Sequence, residues 1–279
     1  MDPALASILA YLGEWLHLIV RWAHIVAAIA WVGASFYFIA LDRSLRPPAD
    51  ASSRVGGEAW EIHGGGFYRI EKLRVAPATL PERLAWFKWE AYLTWLTGFA
   101  LLVLLYYVGA NTYLIDPLVR RLEAWQAIGA SVAMLGIGWV VYDQLARRVT
   151  DQRVLAVLLC LLVALVAWGS SQLFSARAAY IQTGAMIGTW MAANVLFVII
   201  PGQRRLVAAT AEGREPDPIH GISGKQRSVH NNYLTLPAVF AMISQHFPFT
   251  YGSDQRWLVL LALMASGALA QHALNARHS

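Results

Sequence analysis

Seven runs of apolar residues separated by polar stretches divide this chain: Trp15 to Leu41, Trp86 to Val108, Ala124 to Val141, Val154 to Phe174, Ala178 to Ile200, Tyr233 to Phe247 and Trp257 to Leu274. Each is long enough, or nearly so, to cross a hydrocarbon layer of about 30 Å, which takes about 20 helical residues. The pattern predicts an all-α fold: a polytopic transmembrane bundle of about seven helices, forming a single membrane-embedded domain over residues 1–279. Two polar connections stand out. Residues 42–85 open with a flexible stretch, Pro47 to Gly57, and then mix aromatic residues with alternating charge, which reads as a loop folded against the membrane. Residues 201–229, polar and containing Pro and Gly, read as a second loop.

Composition agrees with this partition. An apolar share of 57% with 12 tryptophans is too hydrophobic for a soluble domain. The net charge of +5 does not point to nucleic acid, because the basic residues lie in the connections and make no basic-aromatic patch. They report topology instead. Alternate connections carry 17 Lys and Arg on one side and four on the other, with Arg21 left inside the first run. The positive-inside rule therefore predicts an N-terminus outside and both long loops in the cytoplasm. Asp2 and Glu14 stand where a signal peptide needs a basic region, so the first helix is expected to stay. The single Cys160 sits in an apolar run and reads as a small buried hydrophobe. With no CxxCH, no covalent c-type haem is expected in this chain.

Glu14, His17, Arg21 and His24 recur at spacings of three, four and three, on one helical face that continues through Trp31 and Ser35. Ionisable groups are expensive in lipid, so such a face looks into a protein interior or onto a cofactor. A buried haem b suits it. Two ligands at similar depth are then needed: His24 with His246 or His17 on the outer side, or His230 with His272 on the inner, while Pro237 makes the helical phase between His230 and His246 unreliable. A hydrogen-bonded structural role suits each histidine as well. Arg21 either pairs with Glu14 or anchors a propionate, and Trp31 either packs on a porphyrin or serves ordinary packing.

On the cytoplasmic side, three glycines, Gly64, Gly65 and Gly66, follow His63. They allow close backbone approach to a flat or anionic ligand and equally suit a turn. Lys88, Glu90 and Thr94 open the second helix, and Asn231 and Asn232 open the sixth with amides able to cap a helix or hold a purine-like edge.

Three blocks, RWAHIVAAIAWVGASFYFIALDRSL, HGGGFYRIEK followed by APATLPERLAWFKWEAYLTWLTGF, and SVHNNYLTLPAVFAMISQHFP, resemble in order the membrane domain of the cytochrome c-linked urate oxidases, also called membrane urate hydroxylases. The resemblance implies a bacterial inner-membrane enzyme of purine catabolism, oxidising urate to 5-hydroxyisourate and passing electrons through haem to a cytochrome c. Members of that family carry an eighth helix and a cytochrome c domain after it, whereas this chain stops at HALNARHS. The acceptor is then a further domain of a longer chain or a separate cytochrome.

On this reading His63 or Glu90 deprotonates urate or the attacking water. Lys88 offsets its charge, Asn231 and Asn232 read its amide edge, Gly64 to Gly66 approach it, and Arg21 and Trp31 hold the cofactor. The first helix also resembles haem-binding membrane proteins of the protoporphyrinogen oxidase type. A non-catalytic haem b electron-transfer subunit is the alternative, and a transporter is disfavoured by the lack of repeated halves.

Overall fold

A computed structural model describes residues 2–48, 54–74, 77 and 79–276; Arg277, His278 and part of the Pro47 to Gly57 stretch lie outside the described residues. The chain is mostly helical: α1 (Pro3–Ser44), α2 (Trp89–Leu102), α3 (Ala124–Arg148), α4 (Gln152–Leu173), α5 (Ala176–Asn194), α6 (Ile200–Ala211), α7 (Pro218–Ile243), α8 (Pro248–Tyr251) and α9 (Arg256–Ala276). Among the described residues, six helical stretches are long and apolar enough to cross a membrane, with α5, its following turn and α6 counted as one. The expected seventh span is α7. It is long, but its first half is polar, so it falls short of the others in apolar content.

Three boundaries differ from expectation for identifiable reasons. First, α5 does not end at Ile200. A π-turn at Val195–Ile199 leads directly into α6, and this widened turn just ahead of Pro201 accommodates a residue that cannot donate to the helical ladder. Second, most of residues 201–229 are helical rather than loop, because α5–α6 and α7 run on as polar extensions. The true connection is short. Gly213, at φ 67°, ends α6 in the left-handed conformation, and Asp217 caps α7 by accepting from Ile219 N at 2.9 Å.

The third difference amends the all-α expectation. The 42–85 connection contains an antiparallel hairpin, β1 (Val55–His63) and β2 (Gly66–Leu73), with His63 paired to Gly66 across the turn. Gly64 and Gly65 have φ of 57° and 82°, the pair of positive angles that a two-residue type I′ turn requires. Turn chemistry thus accounts for these glycines. Tyr37 Oη donates to Glu61, Lys72 pairs with Asp42 at 2.7 Å, and Arg46 bridges Glu58 through the backbone, so the hairpin is pinned to the end of α1.

The core is built around α5, which packs against α2, α3, α4 and α7. Small residues allow the close approaches: a Cβ on Gly184 would meet Ala241 at 2.7 Å, and one on Gly138 would meet Met186 at 2.9 Å. Trp190 stacks on Tyr142 at 4.8 Å in the middle of this core. By contrast α1 packs chiefly on α2, and much of its N-terminal half is exposed. Cys160 is exposed on α4 rather than buried, because it lies on the outward face of a helix whose inward face is made by residues such as Leu155, Leu159 and Ala167.

Candidate functional site

A cavity of about 660 Å3 opens at the hairpin end of the bundle, between α1, the start of α2, the π-turn after α5, α7 and α9. Four sequence-expected residues converge on it: Trp31, Glu90, Asn231 and Asn232. Ser35 joins them, and Asp42, Lys225 and Asn275 were not foreseen. Its floor is apolar, formed by Val195 with Trp31 and Trp86 packed beside it. Phe38 meets Phe87 edge-to-face at 4.8 Å and ties α1 to the approach to α2.

Glu90 sits in the first turn of α2, where the free N–H groups and helix dipole favour a carboxylate. Its Oε2 is buried and makes no hydrogen bond in the structure. A buried carboxylate oxygen without a donor retains full capacity to take a proton or accept from a ligand. One turn on, Thr94 spends its hydroxyl on the Glu90 backbone carbonyl at 2.6 Å and so offers little to a ligand.

The two asparagines have different duties. Asn231 is buried, donates to the Met191 carbonyl at 3.0 Å and accepts from Asn194 at 2.9 Å, so its amide is committed to joining α7 to α5. Asn232 accepts from Asn275 Nδ2 at 2.6 Å, and Asn275 in turn accepts from the buried Gln271 at 3.3 Å. That chain fixes the Asn232 amide with its oxygen toward α9, leaving its NH2 as the donor for the cavity.

Behind Asn231 lies a network that sequence reasoning missed. Arg227, 2% exposed, donates to Asp143 Oδ1 at 2.7 Å and to Asn194 Oδ1 at 3.2 Å. Asn194 donates to Tyr142 Oη at 2.8 Å, and Arg147 holds the other Asp143 oxygen at 2.7 Å. Such a network is stable only when fully satisfied. Its signal in the sequence is Asn194, a lone amide among apolar neighbours; Arg227, within the polar run SGKQRSVHNN, and Asp143, beside Gln144 near the polar end of its helix, do not stand out.

At the mouth, Asp42 receives Lys72 from the hairpin and Lys225 from α7, the latter at 3.5 Å. Arg43 reaches across to the Leu274 carbonyl at 2.9 Å, closing the C-terminal end of α9. Positive charge at the cavity therefore comes from Lys225 and Arg43. Lys88 instead lies over the Trp89 ring at 5.4 Å and is not part of the lining.

The remaining expected residues lie elsewhere. His63 and Gly64 to Gly66 form the hairpin tip, where His63 is exposed. Arg21 donates to His17 Nε2 at 2.9 Å rather than pairing with Glu14, and both stand toward the opposite end of α1. His24 is fixed on α2 through Nδ1, which bonds the Thr94 carbonyl at 3.0 Å and Thr97 Oγ1 at 3.1 Å. Its ring fills a notch at Gly98, where a Cβ would fall 2.8 Å from Cε1. His230 bonds Tyr142 Oη and His272 bonds Tyr233 Oη, each at 2.8 Å, while His246 is exposed on a short 3-10 turn. None of these five histidines lines the cavity, so an iron there would find no imidazole. His17 and Arg21 share one face of one helix, in a groove lined by α1 alone that holds no second histidine. These contacts do not assemble a site that fits a six-coordinate haem.

Neither a curated protein nor a solved structure matches the chain. One protein family does: the family described as urate oxidase, N-terminal, matches residues 10–279. That span takes in the hairpin, the cavity and the buried network behind it, and the chain belongs to the urate oxidase N-terminal family.

Proposed function

We propose that the cavity binds urate and that the protein is an oxidoreductase converting it to 5-hydroxyisourate. The observation that carries this reading is the Glu90 carboxylate oxygen, buried and without a partner, beside a donor amide and two cations in a member of a urate oxidase family. Urate is planar and carries one negative charge near neutral pH. An apolar floor with Trp31 and Trp86 suits its faces, Asn232 NH2 donates to its carbonyl edge, and Lys225 with Arg43 offsets its charge.

In the net reaction urate and one water give 5-hydroxyisourate, two protons and two electrons. The new bond joins the water oxygen to C5 of the purine. Glu90 takes a proton from that water or from a ring nitrogen as the bond forms. The electrons pass one at a time to two equivalents of a c-type cytochrome, a partner of stated chemistry outside this chain. No step here is assigned to a resident haem. Lys88 and Gly64 to Gly66 take no part, and of the two expected bases, His63 and Glu90, the role goes to Glu90 because His63 is exposed at the hairpin tip.

The protein is further proposed to sit in a bacterial inner membrane with the hairpin and cavity mouth on the cytoplasmic side. Six apolar helices and the uneven distribution of Lys and Arg support this placement.

The test is turnover of urate by the purified, detergent-solubilised chain with oxidised cytochrome c. Reduction of cytochrome c in step with urate loss is expected, and should disappear in Glu90→Gln. Full turnover in Glu90→Gln, with loss in His63→Ala, would return the proton transfer to the hairpin. A visible spectrum of the same sample settles the haem expectation separately, since b-type bands on reduction would place iron against the contacts described above.

A further inference from the structure

The two faces of the hairpin differ in kind. Ala59 is buried and Glu61 accepts from Tyr37 Oη at 2.8 Å, so one face of β1 is turned toward α1. Alternation sends Glu58, Trp60 and Ile62 to the other face, with Glu71, Arg69 and Phe67 as their partners across the ladder. That outer face is graded along its length. At its base Arg69 pairs with both Glu58 and Glu71, each at 2.9 Å. Toward the turn it holds Trp60, Ile62 and Phe67, which are 64%, 68% and 77% exposed. Three large apolar side chains grouped and uncovered are costly in water and mark a surface that meets something else.

The attachments fix which way the gradient runs. Arg46, just past α1, bridges Glu58 through the backbone, while Glu61, about 10 Å further along β1, meets Tyr37 within α1. The strand therefore runs back along α1 toward the bundle, with its charged base outermost and its apolar end innermost. Phe38, beside Tyr37, meets Phe87 at 4.8 Å, just ahead of the apolar span Trp89–Tyr107. Tyr37, Phe38, Phe87 and Trp89 are all exposed, and Lys88 lies over the Trp89 ring at 5.4 Å. Aromatic rings with cations laid over them are characteristic of the level at which helices enter the headgroup layer. On the hairpin Arg69 stands over Trp60 at 5.8 Å in the same manner.

We propose that the Trp60, Ile62 and Phe67 face of the hairpin seats in the boundary between headgroups and acyl chains, as an anchor additional to the helices. Phospholipid is the occupant because the patch continues the aromatic belt of α1 and α2 and carries its cation on the side of the charged base. The inference rests on the membrane placement above and not on the urate reading.

The test places nitroxide labels in the full chain, reconstituted into bilayers of phosphatidylglycerol and phosphatidylcholine. Cys160, the single cysteine and exposed on α4, is labelled in the wild-type chain. Ile62→Cys, Phe67→Cys and, in the α6–α7 connection, Glu215→Cys are labelled separately in a Cys160→Ser background. Electron paramagnetic resonance compares collisions with oxygen, which concentrates in lipid, and with a water-soluble nickel chelate. Both hairpin labels should meet oxygen severalfold more often than nickel, and the label at Glu215 the reverse. Hairpin labels that behave like the one at Glu215 overturn the proposal. Labels shielded from both reagents overturn it as well, and assign the patch to a protein contact such as a second copy of this chain. The label on Cys160 separates the two readings: if it meets chiefly nickel, the membrane placement fails and the inference with it. If it lies in lipid while both hairpin labels lie in water, the inference alone fails.

Discussion

The two ends of the bundle handle charge in opposite ways. At the hairpin end Asp42 joins Lys72 and Lys225, Asp143 joins Arg147 and the buried Arg227, and Glu58 and Glu71 flank Arg69. At the far end Arg177 and Arg256 meet Gln245 and the Ser171 carbonyl, and Arg21 meets His17. A charge paired inside the protein serves the fold. A charge given only neutral partners is left available for something the chain does not itself supply. The hairpin end repeats that contrast on a smaller scale, since Glu90 alone among its lining carboxylates has a buried oxygen without a donor.

The sharpest way to break this comparison is at Glu90. Glu90→Gln keeps shape and removes the proton acceptor, and urate-dependent cytochrome c reduction should fall by about 100-fold or more, read as initial rate in detergent. Next comes the paired side. Arg227→Met leaves Asp143 buried beside Arg147 alone and should cost about 3–5 kcal/mol, seen as a large drop in thermal midpoint; adding Asp143→Leu should recover part of it. Were Arg227→Met as stable as wild type, the pair would not be the structural element described.

Smaller effects sharpen the assignment of individual contacts. Gly98→Ala pushes a methyl group into the His24 ring and should cost about 1–3 kcal/mol through the α1–α2 contact, again as a midpoint shift. Asn275→Ala frees the Asn232 amide to rotate. It should raise the KM for urate by about tenfold while changing kcat less, and a kcat loss with constant KM would deny Asn275 its positioning role.

Much of this organisation is written in the sequence, and the failures have physical causes. The apolar runs give the helices, because burying about 20 consecutive backbone amides in an apolar layer leaves few alternatives to a helix. Their ends were misjudged where α6 and the first half of α7 carry polar residues, since hydropathy marks where a helix meets water and not where it stops. The hairpin is not evident from hydropathy because β1 and β2 carry charged residues, such as Glu58, Glu61, Arg69 and Glu71, within them and show no clean apolar alternation, although a pair of adjacent glycines between two such runs is the turn signature. Glu90, Trp31, Asn231 and Asn232 were legible as polar or aromatic residues entering apolar helices. Asn275, Lys225 and Asp42 were not, because their arrival at one cavity depends on how α1, α7 and α9 pack. The histidines misled for the converse reason: helical periodicity puts His17 and His24 on one face, but only tertiary contact reveals that His24 is already satisfied by α2.

The hairpin has a practical consequence. A two-stranded sheet on its own is marginally stable in water, so this one persists through its attachments to α1 at Tyr37 and Asp42 and to Arg46 just beyond it. One of those attachments, at Asp42, lines the cavity mouth. Any ligand that moves the end of α1, or competes with Lys72 for the surroundings of Asp42, should change how often the strands separate. The exposed tip between His63 and Phe67 then becomes a protease-sensitive gauge: the rate at which it is nicked, followed on a gel with and without urate, reports occupancy of a site that carries no chromophore of its own.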